Sequence, residues 1–229
     1  MSHLINIFLE PAKVFADLRE KPTFWVPLLL MAVLTAVSTL LYFMTVDPAW
    51  FAEHQSAQVL LQNPEMTSAE LAQMQSFMPG ARTMGWIAAA GALFVIAIVF
   101  LVYAVYYLLA GKITGQAVGF RHGLALVSWS TMPMVLGSLV VIGAVLTSSP
   151  QTPLESMQLT NIDPLLVQLP MDHDWSMLAK SFSLLNFWVW FLAALGWKTW
   201  FRTGWGQALV VVLLPSIVIY GVMALFAIL

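Results

Sequence analysis

Apolar residues dominate the chain in five long runs, each near the length of about 20 residues that a helix needs to cross a bilayer. The cores of these runs contain no Asp, Glu, Lys or Arg. The pattern predicts an all-α fold, a polytopic membrane helix bundle with five transmembrane helices. The predicted spans are residues 25–44, 84–109, 123–146, 183–200 and 207–228.

Residues 1–24, which precede the first span, have a different pattern. Phe8, Ala12, Phe15 and Leu18 fall close to one helical face, and most charged residues fall elsewhere. This pattern predicts a cytoplasmic amphipathic leader, a helix lying on the inner membrane surface.

The two longest segments between spans, residues 45–83 and 147–182, are predicted to be external loops. Thr67 and Glu70 have the spacing of a capping box and predict a short helix in the first loop. The second loop is richer in Pro, Ser and Asp, and we expect it to be less regular.

The positive charges alternate along the chain and predict its orientation, because short loops rich in Lys and Arg stay in the cytoplasm. Only Arg82 and Lys180 fall in the predicted external loops. The N-terminus is therefore predicted to be cytoplasmic and the C-terminus external, with residues 25–229 forming a single five-span membrane domain. The seven remaining basic residues flank the other ends of the spans: Lys13, Arg19, Lys21, Lys112, Arg121, Lys198 and Arg202.

Composition agrees with this pattern, since 60% of the residues are hydrophobic and only 9% are charged. A soluble domain of this size would need far more polar surface. The first span lacks a small-residue cleavage site and is expected to be retained. The absence of cysteine favours a bacterial inner membrane as the location.

Two cytoplasmic turns carry similar motifs, "FRHG" at 120–123 and "FRTG" at 201–204. Each motif follows a lysine, and each leads into a span that contains a proline, Pro133 or Pro215. Spans two and three, and spans four and five, would then be two related hairpins. A true duplication and a chance match both remain open.

Three parts of the sequence carry a family resemblance. They are the N-terminal pattern Phe8, Pro11, Phe15, Leu18, Pro22, Trp25, Pro27 and the runs "YYLLAGKITGQAVGFRHGLALVSWSTMP" and "FSLLNFWVWFLAALGW". Over nearly its whole length the sequence resembles the Yip family, the Ypt/Rab-interacting multispanning proteins, in its bacterial branch. The resemblance implies a five-helix membrane domain with a cytoplasmic N-terminus. Eukaryotic members are associated with Rab GTPases, but because only residues 1–24 precede the first span, we do not expect GTPase binding here.

Candidate catalytic and metal-binding groups are few. Adjacent acidic and imidazole groups at Asp172, His173 and Asp174 are interpreted as a solvated loop, because neighbouring residues seldom converge on one ion. His122 and Ser128 are six residues apart and fall on different sides of a helix. We therefore predict no metal, no cofactor and no enzymatic activity.

The third predicted span holds the most unusual polar stretch. As one helix it would place Trp129, Met132, Leu136, Leu139 and Val140 on a bulky lipid-facing arc, and the small residues on an arc facing neighbouring helices. The proline frees the Trp129 carbonyl, for which we expect a donor from another helix or a water. Asn186 is expected to bond a neighbouring helix. The candidate intramembrane packing or polar site is Ser128, Ser130, Thr131, Pro133, Gly137, Asn186 and Pro215.

Two functional hypotheses follow. The first is a non-enzymatic membrane protein that organises or escorts membrane components. Its partners would be the lipid bilayer and other membrane proteins or a second copy, and not nucleic acid. The second is a small transporter or lipid-handling protein with a midplane cavity between proline-bent helices.

Overall fold

The computed structural model describes residues 2–170 and 173–228, and within them the fold is all-α, as predicted. A single isolated bridge, between Asn161 and Ser183, is the only β pairing in the described residues. A π-helical turn covers Asp163–Val167. The α-helices are α1 (Ser2–Leu9), α2 (Pro11–Glu20), α3 (Trp25–Thr45), α4 (Pro48–Gln62), α5 (Ser68–Phe77), α6 (Ala81–Ile113), α7 (Phe120–Ser130), α8 (Pro133–Thr147), α9 (Leu154–Met157), α10 (Ser176–Ser181), α11 (Leu185–Phe201) and α12 (Trp205–Phe226).

All five predicted spans are helical, and they form a membrane helix bundle. Among the described residues, α3, α6 and α12 are each long and apolar enough to cross a bilayer; α7 and α8 together are too, and because they are bent by 41° at the break between them they would form one broken span or a re-entrant loop. The outward faces suit lipid, since Val102 of α6 and Val210 of α12 are 59% and 67% exposed. α11 has 17 residues, at the short end of a crossing. The count of five and the orientation stay predictions.

The chain forms two compact units. The first contains the chain up to Leu34, Leu93–Leu136 and Leu184–Val222. The second contains Thr35–Ala92, Gly137–Ser183 and the chain from Met223. Six of the seven candidate site residues, all except Gly137, and most of the apolar core lie in the first unit.

The leader is helical, and the apolar face of α2 packs on the core of the first unit; its position at the membrane surface stays a prediction. Val14, Phe15 and Leu18 of α2 are buried in the core of the first unit, where α2 packs against α11 and α7. A Cβ on Gly196 of α11 would lie 2.8 Å from Phe15 Cδ1, so the two helices are in close contact. An apolar helix face can cover lipid or a protein core equally well. Burial of the Phe15 side chain in this core stabilises the fold by about 2 kcal/mol.

Three segments meet at one end of the first unit. The indole N–H of Trp200, at the end of α11, donates to the Phe15 carbonyl at 2.6 Å. The His122 Nε2 of α7 lies 3.1 Å from the Arg19 carbonyl. The leader, the turn before α7 and the turn after α11 therefore share one end, as expected if all three are cytoplasmic.

This arrangement makes the orientation testable. With three segments at one end, α12 leads away from them and should place the C-terminus on the other side of the membrane. A reporter that is active only outside the cytoplasm, fused after the last residue, is expected to be active, and the same reporter inserted after Gly115 should be silent. A silent, well-expressed C-terminal fusion would contradict five crossings.

Capping explains the helices of the predicted external loops. Asp47 accepts the Trp50 N–H at 2.8 Å and begins α4. The predicted capping box begins α5: the Thr67 N–H donates to Glu70 Oε2 at 2.8 Å, and Thr67 Oγ1 accepts the Glu70 N–H at 3.3 Å. Bonding to the Thr67 backbone N–H and hydroxyl lowers the pKa of the Glu70 carboxyl. The helices in the described part of the second loop are all short, in agreement with its composition.

The two turn motifs do not share a structure. "FRHG" forms the first turn of α7, whereas "FRTG" ends α11 and enters the next turn, with Arg202 in the left-handed region at φ 52°. A Cβ on Gly123 would lie 2.7 Å from the Ala104 carbonyl oxygen, but one on Gly204 would meet nothing within 4 Å. The sequence match therefore does not mark equivalent positions in two hairpins.

Candidate intramembrane site

The predicted third span is two helices joined at Thr131 and Met132. The Ser128 hydroxyl donates to the Ala125 carbonyl at 3.3 Å, and the Ser130 hydroxyl donates to the Val127 carbonyl at 3.1 Å. Thr131 Oγ1 donates to the same Val127 carbonyl at 2.9 Å. The hydroxyls therefore bond carbonyls about one turn earlier and support the bend.

The Trp129 carbonyl does not need the external donor that we expected. The Met132 N–H reaches it at 3.4 Å. The two-residue break lets the chain turn tightly, and Pro133 then begins α8, where its missing N–H removes no bond. A partner from another helix or a water is not required at this carbonyl, so that expectation was wrong.

The lipid-facing arc predicted for a single helix is wrong at Trp129 and Met132, although Leu136 and Leu139 agree with it. Trp129 and Met132 are buried at 3% and 2% exposure, whereas Leu136 and Leu139 are exposed. Because α7 and α8 do not share an axis, positions on either side of the break cannot be placed on one helical wheel. Gly137 is half-buried on α8 and belongs to the second unit.

A cavity of about 190 Å³ lies within the first unit, bordered by helices α6, α7, α8, α11 and α12. Three of the predicted site residues line it: Ser130, Thr131 and Asn186. The other four, Ser128, Pro133, Gly137 and Pro215, do not. The full lining is Val99, Tyr103, Tyr107, Val127, Ser130, Thr131, Met134, Asn186, Val189, Trp190, Ala193, Val212, Ser216, Ile219 and Tyr220.

Polar pairs across the cavity wall join α11 to α12. Asn186 Nδ2 donates to the Tyr220 hydroxyl oxygen at 2.9 Å, so the predicted bond to a neighbouring helix is present. The Trp190 indole N–H donates to Ser216 Oγ at 2.9 Å. Both bonds lie where an unpaired polar group would be expensive, and they fix the register of the two helices.

Helix α12 continues through Pro215 without a break, unlike the chain at Pro133. Proline at 215 cannot donate to the Val211 carbonyl four residues earlier. The Tyr106 hydroxyl of α6 donates to that carbonyl at 2.5 Å instead. The donor from another helix that we expected at Trp129 is therefore found at Val211.

Sequence reasoning missed the tyrosines of α6. Tyr103 and Tyr107 line the cavity, and the Tyr107 ring lies 6.1 Å from the Trp197 ring in the core. Their spacing of four residues places both on one helical face, and Asn186 with Trp190 has the same spacing on α11. That spacing of hydrogen-bonding side chains was the available signal.

The cavity wall is electrically neutral. Its polar groups are phenols, hydroxyls, an amide and an indole, and no Asp, Glu, Lys, Arg or His lines it. A charged ligand would lose its hydration without gaining a counter-charge. The wall therefore suits a neutral group that can both donate and accept hydrogen bonds.

The remaining candidates for chemistry do not form a site in the described residues. His122 contacts the Arg19 carbonyl, whereas Ser128 and Ser130 donate to carbonyls of their own helix. Asp172 lies outside the described residues. Among those that are described, no three His, Cys, Asp or Glu side chains are grouped so that they could hold a metal ion.

Helical membrane segments around an uncharged internal cavity define a polytopic all-α integral membrane protein. A family model, the Yip1 domain, matches residues 5–226. The chain belongs to the Yip1 domain family, in agreement with the resemblance seen in the sequence. No curated protein and no solved structure matches the chain.

Proposed function

We propose that this protein is a non-enzymatic Yip-type membrane protein that organises or escorts other membrane components, in a bacterial inner membrane. The observation that carries the proposal is the neutral cavity between α6, α7, α8, α11 and α12. Its phenols and hydroxyls offer hydrogen bonds at a depth where lipid offers none. A lipid or a membrane helix with a neutral polar group would gain bonds by docking there.

The size of the cavity suits a small portion of a bound lipid or membrane protein, and not a whole ligand. At about 190 Å³ it is smaller than the roughly 300–1,000 Å³ of sites that enclose a whole small molecule. A single side chain or a short polar segment of a lipid fits this volume. The rest of the partner would remain in the surrounding bilayer.

Close packing next to the cavity supports binding over passage. The segment Gly123–Ser130 of α7 is buried throughout, and Gly123 lies against the backbone of Ala104. A solute moving toward this end of α7 would have to separate α6 from α7. The alternative, a small transporter or lipid-handling protein, is favoured by the cavity itself and requires it to widen.

Removing the cavity phenols should release the partner. In the double variant Tyr103→Phe, Tyr107→Phe the shape is kept but two hydroxyls are lost, and we expect partners to co-purify several-fold less. The measurement is mass spectrometry of proteins and lipids extracted with the chain in native lipid. Tyr42→Phe is the matched control, because Tyr42 is a buried tyrosine of the second unit and does not line the cavity.

Unchanged co-purification in the double variant would contradict the proposal. The chain has no cysteine, so in the variant Ser130→Cys the single thiol reports whether water reaches the cavity, without labelling at other positions. Rapid labelling of that cysteine by a charged thiol reagent would favour transport, whereas protection is the result expected for a docking pocket.

A further inference from the structure

A second pocket, of about 620 Å³, lies at the end of the first unit where the three segments meet. Arg19 comes from the leader, His122 from the start of α7, and Arg202 from the turn after α11. Gly115, Gln116 and Ala117 of the preceding loop complete the rim, with Trp200 and Phe201 on the wall. None of these residues lines the neutral cavity, so the pocket is a separate feature.

The pocket is positively charged. Two guanidinium groups line it and no carboxylate does. In the described residues neither Arg19 nor Arg202 forms an ion pair, whereas the neighbouring acid Asp17 contacts His3 at 3.2 Å and Glu10 contacts Lys13 at 3.4 Å. The two arginines therefore keep their donors available for an anion.

The wall of the pocket is held in place by two hydrogen bonds, one buried and one exposed. Trp200 is almost fully buried and is fixed through its indole N–H to the Phe15 carbonyl. Because a carbonyl only accepts, His122 donates from Nε2 to the Arg19 carbonyl, and its ring packs edge-on against Trp200 with centroids 5.7 Å apart. These contacts tie the leader to both turns, so the arginines are presented on a fixed frame.

The backbone at Arg202 adds a further observation. Its φ of 52° is left-handed, a conformation that it shares only with Gln168 among the described non-glycine residues. Arg202 is the C-cap residue of α11, and a left-handed residue commonly ends a helix in this way. The two arginines could instead serve to neutralise the negative ends of the helix dipoles at the C-termini of α2, α6 and α11. That role needs only a positive charge nearby, and it does not explain why two arginines line the same concave pocket with an aromatic wall.

We propose that this pocket binds a phosphate group, supplied by the headgroup of an anionic lipid. The guanidinium fork matches phosphate oxygens in pairs, which is why arginine is favoured in phosphate sites. The pocket residues flank the predicted ends of spans two, three and four, which would place the pocket near the lipid phosphates where these spans cross the bilayer. The inference goes beyond the proposed function and does not depend on the neutral cavity.

The test uses the full-length chain in detergent, titrated separately with phosphatidylglycerol and with inorganic phosphate, and native mass spectrometry to count the bound molecules. We expect one phosphatidylglycerol retained per chain. Arg19→Gln and Arg202→Gln should each weaken its binding about tenfold, as expected for a lost charge-assisted hydrogen bond. Arg121→Gln is the matched control, because Arg121 is an exposed arginine at the start of α7 that does not line the pocket.

The outcomes separate the sources of the phosphate. Retained phosphatidylglycerol that is lost in both pocket variants and kept in Arg121→Gln supports the lipid. Inorganic phosphate that binds with the same dependence, without retained lipid, supports the phosphate site and overturns the lipid source. Binding that is equal in all variants, or that falls equally in Arg121→Gln, overturns the proposal, provided that circular dichroism shows the variants folded.

Discussion

Replacing Gly123 with alanine should destabilise the first unit by about 2–3 kcal/mol, at the upper end of overpacking effects. The added Cβ would lie 2.7 Å from the carbonyl oxygen and 3.0 Å from the Cα of Ala104. Both atoms belong to the backbone of α6 and cannot rotate away, so the two helices must separate. The effect should outweigh the better intrinsic helix propensity of alanine. Unfolding of the purified protein in a denaturing detergent measures it.

The chain supplies a matched control in its second, similar motif. Gly204 is the last residue of "FRTG", as Gly123 is the last residue of "FRHG", yet a Cβ on Gly204 would meet nothing within 4 Å. Gly204→Ala should change the free energy of unfolding by less than about 0.5 kcal/mol, as is usual for surface substitutions. Equal losses in the two variants would contradict the close approach of α7 to α6.

Local interactions were predictable from the sequence because they depend on short spacings. The Thr67 capping box, the bonds of Ser130 and Thr131 to earlier carbonyls, and the five helical segments all follow from residue type and period. The bond from Asn186 to a second helix was also predictable, because an amide in an apolar span needs a partner.

Which face of a helix is buried was less predictable, because hydropathy does not distinguish lipid from a protein interior. Trp197, Trp200, Trp188 and Trp205 lie near the ends of the fourth predicted span, a position typical of tryptophans at a membrane interface. The first two are instead buried in the core, at 0% and 1% exposure. The same holds for the leader, since the face that carries Phe15 would suit lipid or a protein core. In the structure α2 packs on α11, and this contact joins segments that are distant in sequence.

Only some of the polar residues that line the cavity could be predicted from the sequence. Ser130, Thr131 and Asn186 were found because their side chains are plainly polar. Tyr103 and Tyr107 were missed because tyrosine counts as apolar in a hydropathy scan, although its hydroxyl is a donor and an acceptor. Within an apolar span, tyrosines four residues apart on one face should be considered together with serine and asparagine.

Tyr106→Phe should cost about 1–3 kcal/mol, the penalty of leaving a buried carbonyl without its donor. The Tyr106 hydroxyl donates to the Val211 carbonyl, which cannot receive the usual N–H four residues later because residue 215 is proline. Alanine at 215 would restore an N–H to α12. In the Pro215→Ala background the same tyrosine substitution should therefore cost much less, and a double-mutant cycle measured by detergent unfolding gives the coupling energy. Independent, additive effects of the two substitutions would show that the phenol does not compensate for the proline.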